Sequence, residues 1–178
     1  TLFNYCKVSR VLTDKTKLIF VIHEFGIPCE KVEYLYKIAL EREIPLVEDA
    51  AHSMTSSYKG QSLGSFGDYV IHSLPKSLPL EIGGLLINKS DRFHLDILED
   101  TTVKKTFLSF EHLLSWVHNE RRRQYEFYQD VFDKISVYGE KNNSAPFCYG
   151  YIESVEIVSA VYRSAIYENI ELLRTHNP

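Results

Sequence analysis

Cysteine is scarce in this chain. Cys6, Cys29 and Cys148 are spread over 178 positions, with no Cys-x-x-Cys pair and no Cys/His ligand spacing. An odd, unpatterned set of three supports neither a disulfide framework nor a zinc site, and a reducing, cytoplasmic compartment is the default expectation. Long apolar runs are also missing, which argues against a membrane-spanning helix. Positive charge is in short supply. Twenty Lys and Arg face 24 Asp and Glu, a net charge of -4, and non-specific nucleic-acid binding wants the opposite balance. The run Arg121-Arg122-Arg123 lies in a helical, acid-containing stretch and reads as a solvated helix face. Phosphate-loop, dinucleotide and Gly-x-Ser-x-Gly signatures are lacking, which weighs against nucleotide-binding and α/β-hydrolase readings. His23, His72, His94, His112 and His118 show no metal-ligand spacing, so no metal site is expected.

What remains is an ordinary globular composition, 44% hydrophobic and 25% charged. Its patterning carries the information. The β-branched apolar run from Lys17 to His23 predicts a buried strand, and Gly26 and Pro28 punctuate a turn. From Glu30 to Arg42, Val32, Leu35, Ile38 and Ala39 share one helical face. Ile44 to Glu48 predicts a second buried strand, so the first 50 residues contain a βαβ unit with parallel strands. The glycine-bearing stretch Tyr58 to Asp68 predicts a turn-rich loop with a short hairpin. Tyr69 to Ser73 and Gly83 to Asn88 predict two more strands, the last entered through a double glycine. Helices are expected over Asp91 to Asp100, Ser109 to Phe132 and Ser154 to Leu173, with a polar break from Lys141 to Pro146. Strands with crossovers first and long helices later predict an α/β core followed by a helical extension.

Two charged residues stand at strand ends. Asp49 closes Ile44-Pro45-Leu46-Val47-Glu48, and Lys76 follows Tyr69-Val70-Ile71-His72-Ser73. The carboxyl edge of an α/β sheet is where functional groups are delivered. A carboxylate that keeps a pyridine nitrogen protonated and an amine that forms an imine are what pyridoxal phosphate (PLP) chemistry asks of a protein. Lys76 has leucine and proline neighbours; desolvation there exposes an amine lone pair. Ser73 offers a hydroxyl to a phosphate, and His52 offers a ring to stack on or bond to a cofactor. Each has a plainer reading when taken alone: Asp49 as a turn or N-cap residue, Lys76 as a solvent lysine, Ser73 bonding its own backbone, His52 as a structural histidine.

Taken in order, Glu48-Asp49-Ala50-Ala51-His52, Tyr58-Lys59-Gly60, Gly64-Ser65-Phe66-Gly67-Asp68, Ser73, Lys76 and Gly83-Gly84 resemble the DegT/DnrJ/EryC1/StrS family of PLP-dependent sugar aminotransferases. The resemblance covers about residues 11 to 90. It implies the three-layer α/β/α fold of aspartate-aminotransferase type, with a mainly parallel sheet. On this resemblance Lys76 is the Schiff-base lysine, Asp49 the pyridinium partner, His52 the residue near the phenolic oxygen and Ser73 the phosphate-contacting serine. It further implies transamination of a nucleotide-linked keto-sugar with an amino acid donor, glutamate by family analogy, in a homodimer whose subunits share each active site. Relatives that are sugar dehydratases carry histidine at the lysine position, so Lys76 favours transamination. A truncated or inactive member acting as a dimer partner is the other reading. The expected layout is a partial PLP-binding large domain over 1–145 and the helix opening a small domain over 146–178, within a longer polypeptide.

Overall fold

The computed structural model describes residues 11–90, 101–132 and 144–145. The helices expected over Asp91 to Asp100 and Ser154 to Leu173 lie outside the described residues. The first strand, β1 (Ile19–Ile22), alternates between a buried face, Ile19 and Val21, and an exposed one, Phe20 and Ile22. A single 3-10 turn, Glu24–Gly26, leads toward α1 (Val32–Glu41). This helix buries the face predicted from its spacing: Val32, Leu35, Ile38 and Ala39 close over Ile19, Val21 and Leu46. Full burial of a side chain such as Leu35 contributes about 2 kcal/mol.

At its end α1 leaves the helical path through Glu43, which takes a left-handed conformation (φ 53). The Ile44 amide donates to the Ala39 carbonyl at 2.9 Å and the Glu43 amide to the Leu40 carbonyl at 3.2 Å. This pair of bonds is a Schellman cap, and buried Ile44 supplies the apolar residue that usually accompanies it. The chain then enters β2 (Leu46–Asp49), parallel to β1 with Ile22 beside Asp49.

A two-residue hairpin, β3 (Ser57–Tyr58) and β4 (Gln61–Ser62), turns at Lys59-Gly60. β5 (Tyr69–Ser73) then lies parallel to β2, and β6 (Gly84–Asn88) returns antiparallel to β5. The sheet order is β1-β2-β5-β6. This mainly parallel sheet with its crossover helix meets the expected fold class.

The helical region begins earlier than its aromatic pattern suggested. It consists of α2 (Thr101–Phe110), a 3-10 turn (Glu111–Leu113) and α3 (Leu114–Phe132). Ser144 and Ala145, within the expected polar break, are buried. The Ala145 amide donates to Ser56 Oγ at 2.9 Å, and Ser56 Oγ donates to the Gly26 carbonyl at 2.6 Å. None of the helices among the described residues is long and apolar enough to cross a membrane.

Candidate functional site

Pleating sends alternate residues of β2 to opposite faces. Leu46 and Glu48 join the buried face under α1; Val47 and Asp49 point the other way. The register puts Ile22 and Ile71 on either side of Asp49, and Ser73 one further pleat along β5. Asp49 and Ser73 therefore share a face, and both stand at the carboxyl ends of parallel strands. The Asp49 carboxylate Oδ1 accepts the Ala51 amide at 2.9 Å, a local turn that fixes the side chain, while Oδ2 accepts no hydrogen bond among the described residues. Ser73 is half-buried, and its hydroxyl has no hydrogen-bond partner among the described residues.

Lys76 rides on a turn at the start of the connection, 74–83, between the antiparallel strands β5 and β6. Its base is closed by the Leu74 amide on the Gly83 carbonyl at 3.1 Å. The Ser77 and Leu78 amides both donate to the Leu74 carbonyl, at 3.0 and 2.9 Å, and Leu74 and Leu78 are buried. Lys76 is thus held between two apolar anchors and is itself half-buried. Gly83 permits the closure. It has φ 124, and a Cβ there would come within 3.2 Å of both Val103 and Leu74.

His52 connects the two halves. Its ring lies parallel to Phe25, with centroids 5.6 Å apart and planes 8° from parallel, and its Nδ1 accepts the Phe25 amide at 3.4 Å. An accepting Nδ1 leaves the proton of the neutral ring on Nε2. Phe25 has φ 53, a conformation uncommon for a bulky residue, so the turn that offers this ring to His52 is strained. Burial pushes the His52 pKa below its ordinary value. The charges of Lys76 and Arg121 push the same way, and Asp49 opposes them. The imidazole therefore lies in the fields of Asp49, Lys76 and Arg121 together. Three of the four residues singled out from the sequence, Asp49, His52 and Lys76, are electrostatic neighbours, and Ser73 lies on the same sheet face.

Behind this edge is a buried support. His23 Nε2 donates to Glu48 Oε2 at 3.0 Å, and the Cys29 amide donates to His23 Nδ1 at 3.0 Å. Glu48 Oε2 also accepts the Gly64 amide at 2.9 Å, and Oε1 accepts the Gly67 amide. Ser53 Oγ donates to the His23 carbonyl at 2.8 Å. One carboxylate thereby joins β1, β2 and the glycine loop, and fixes the strand that ends at Asp49.

Arg121 and His118 were not foreseen as site residues. Arg121 turns inward, where its guanidinium donates to the Lys76 carbonyl, contrary to the solvated face expected for Arg121-Arg122-Arg123. Arg122 donates to Glu126 at 2.8 Å and to the Ser144 carbonyl at 3.4 Å, and exposed Arg123 pairs with Glu120 at 2.8 Å. His118 Nδ1 bonds the Thr55 carbonyl at 2.7 Å. The signal available in the sequence was spacing: 118, 121 and 125 fall on one helical face, and Tyr125 is buried. Among the described residues, no cluster of three or more His, Cys, Asp or Glu could hold a metal ion.

A mainly parallel sheet with an acid and a lysine delivered to its carboxyl edge defines an α/β protein of the PLP-dependent aminotransferase fold. The profile of the DegT/DnrJ/EryC1/StrS aminotransferase family matches residues 2–99, more than half of the chain, and the chain belongs to that family. GDP-perosamine synthase of Escherichia coli O157:H7 is 33% identical over 82 residues, 45% of this chain and 22% of that enzyme. PseC of Helicobacter pylori, an aminotransferase involved in the biosynthesis of pseudoaminic acid, shares the fold with a TM-score of 0.72 at 14% identity. The likeness covers 91% of this chain and 53% of PseC. The E. coli GDP-4-keto-6-deoxy-D-mannose-3-dehydratase, solved with bound hydrated PLP, superposes with a TM-score of 0.69 at 19% identity, over 93% of this chain and 55% of that one. The chain spans about half the length of these solved relatives and less than a quarter of the synthase.

Proposed function

We propose that this chain carries the lysine-bearing part of a PLP site in an aminotransferase acting on a nucleotide-linked keto-sugar. The observation that carries the reading is the delivery of Asp49 and Ser73 to one face at the carboxyl ends of the adjacent parallel strands β2 and β5, with Lys76 on the turn that follows β5 and His52 on the loop that follows β2. The residues present fit PLP: an Asp49 oxygen without a hydrogen-bond partner among the described residues, an amine on a turn held by two buried leucines, and a neutral imidazole with its proton on Nε2.

Bound PLP supplies an electron sink for negative charge at the carbon next to nitrogen. Lys76 Nζ would hold the cofactor, and its amine would be the group available to carry a proton at the α-carbon of the amino donor. Asp49 would hold the pyridine nitrogen protonated, His52 would face the phenolic oxygen with its Nε2 proton, and Ser73 would offer its hydroxyl to the phosphate. The donor is an amino acid, glutamate by family analogy, and the acceptor is the sugar ketone. The likeness to GDP-perosamine synthase supports a nucleotide-sugar substrate. Residues 1–145 belong to the PLP-binding large domain, and 146–178 open the small domain. The working form is a homodimer in the cytoplasm.

The test is covalent. PLP is added to the folded protein, the visible absorbance is recorded, and borohydride is used to trap the imine. Peptide mass mapping should place the reduced adduct on Lys76, and Lys76→Arg should abolish both band and adduct. A folded protein with no band, or an adduct on another lysine, would overturn the reading.

A further inference from the structure

The turn bearing Lys76 and the loop after Asp49 leave the adjacent parallel strands β5 and β2, whose pairing ends near Asp49 and Ile71, and beyond it the two segments need a further tie. A helix supplies it. His118 and Arg121 are i and i+3 on α3, so their side chains lie side by side on one face. His118 bonds the carbonyl of Thr55, three residues after His52, and Arg121 donates to the carbonyl of Lys76 itself. Tyr125, one turn further along the same face, is buried.

A guanidinium is costly to withdraw from water, and burial pushes that of Arg121 below its ordinary pKa. It nevertheless stays charged, and its planar fork can hold a carbonyl while keeping its charge directed at neighbouring groups. The groups around His52 are Asp49 from the end of β2, Lys76 from the β5–β6 turn and Arg121 from α3. Burial lowers the His52 pKa first, Lys76 and Arg121 add to that lowering, and Asp49 opposes it.

We infer that Arg121 is a positioning residue: it clasps the backbone at Lys76 and, with His118 on the Thr55 carbonyl, locks the two loops of the site to one face of α3. The inference deepens the PLP reading of Lys76 and rests on it for its consequence. The lock fixes where the amine stands relative to His52 and Asp49, and the guanidinium supplies a fixed positive charge that His52 feels.

The experiment compares the wild type with Arg121→Ala and Arg121→Lys, first without PLP. In Arg121→Ala the Ser77 and Leu78 amides should exchange with deuterium about tenfold faster, since a charged hydrogen bond to that turn is gone. The His52 ring, followed by NMR, should titrate about half a pH unit higher, because one repelling charge has been removed. Arg121→Lys keeps the charge, so its His52 midpoint should stay near that of the wild type even though the turn loosens. This variant also guards against a misfolded alanine protein. With PLP added below saturation, the borohydride-trapped yield on Lys76 should fall in Arg121→Ala and partly recover in Arg121→Lys. Unchanged amide exchange together with an unchanged His52 midpoint in Arg121→Ala overturns the inference. If wild-type Lys76 takes no label, the PLP reading falls, and the exchange and titration still decide whether Arg121 positions the loops.

Discussion

His23 and Glu48 meet through a 3.0 Å hydrogen bond, Nε2 to Oε2, with both side chains wholly withdrawn from water. Burial alone would push the Glu48 carboxyl up. The His23 bond and the amides of Gly67 and Gly64 outweigh it, and the net displacement is downward. A carboxyl lowered in the folded state stabilises the protein above its unfolded pKa, near 4.5, and that contribution is lost as pH falls toward the folded value. Glu48→Gln should therefore cost about 2 kcal/mol at pH 7, because the hydrogen bonds that His23 and the Gly64 and Gly67 amides give a buried carboxylate are weakened. Its urea midpoint should also fall less steeply than the wild type's below pH 4.5. Chemical denaturation at several pH values checks both. Parallel acid limbs for variant and wild type would contradict the assignment.

Gly67 is the point of the glycine loop that backbone crowds most closely. A Cβ there would lie 2.9 Å from the Tyr69 carbonyl oxygen, 3.0 Å from that of Leu46 and 3.1 Å from Glu48 Cγ. Two of these neighbours are backbone, so the loop rather than a side chain must move. Gly67→Ala should destabilise by about 2 kcal/mol, within the range of overpacking, and should weaken the Gly67 amide bond to Glu48. Gly60→Ala makes a control: nothing lies within 4 Å of its Cβ, so the cost there is limited to the strain of φ 79. Urea midpoints of the two variants measure the difference. Equal costs would mean that crowding at Gly67 is relieved without penalty.

Strand and helix positions were legible wherever burial enforces a period. β5 spans the predicted residues, and α1 buries the predicted stripe. Asp49 and Lys76 were visible because a charge ending an apolar run is conspicuous. Arg121 was not, because a charge inside a charged run looks like solvent-facing helix until a partner is known. Its partner is a backbone carbonyl 45 residues away, which leaves no mark on side-chain composition. Glu48 was hidden in the same way: its amide partners belong to glycines of a distant loop. Phe25 at φ 53 was equally illegible, since glycine is the residue whose presence announces that conformation.

Glu43 illustrates a local rule broken at small cost. The Schellman position favours glycine, and a side chain there pays the left-handed penalty of about 1 kcal/mol. Its carboxylate is exposed. Glu43→Gly should therefore stabilise the protein by about 0.5–1 kcal/mol, after allowing for the extra freedom of glycine in the unfolded chain. The denaturation midpoint should rise with an unchanged slope. A fall would mean that the glutamate does more than tolerate its backbone.

His72 sets the acid sensitivity in a higher pH window. It is buried on β5, and its Nδ1 donates to the Ala50 carbonyl at 3.3 Å. Burial pushes its pKa below the ordinary 6.5 and outweighs the opposing bond to Ala50 and the Glu48 and Asp49 charges. As pH falls below 6.5 the unfolded state takes up a proton that the folded ring refuses, so stability declines until the folded pKa is reached. His72→Asn can keep the donor toward Ala50 and removes the titration. At pH 7 the variant should be less stable by about 1 kcal/mol through lost packing. Its stability should then fall less between pH 6.5 and 5 than the wild type's. Urea midpoints at half-unit pH steps give the comparison. A variant that tracks the wild type throughout that interval would move the acid sensitivity to His52, the other imidazole held below its ordinary value.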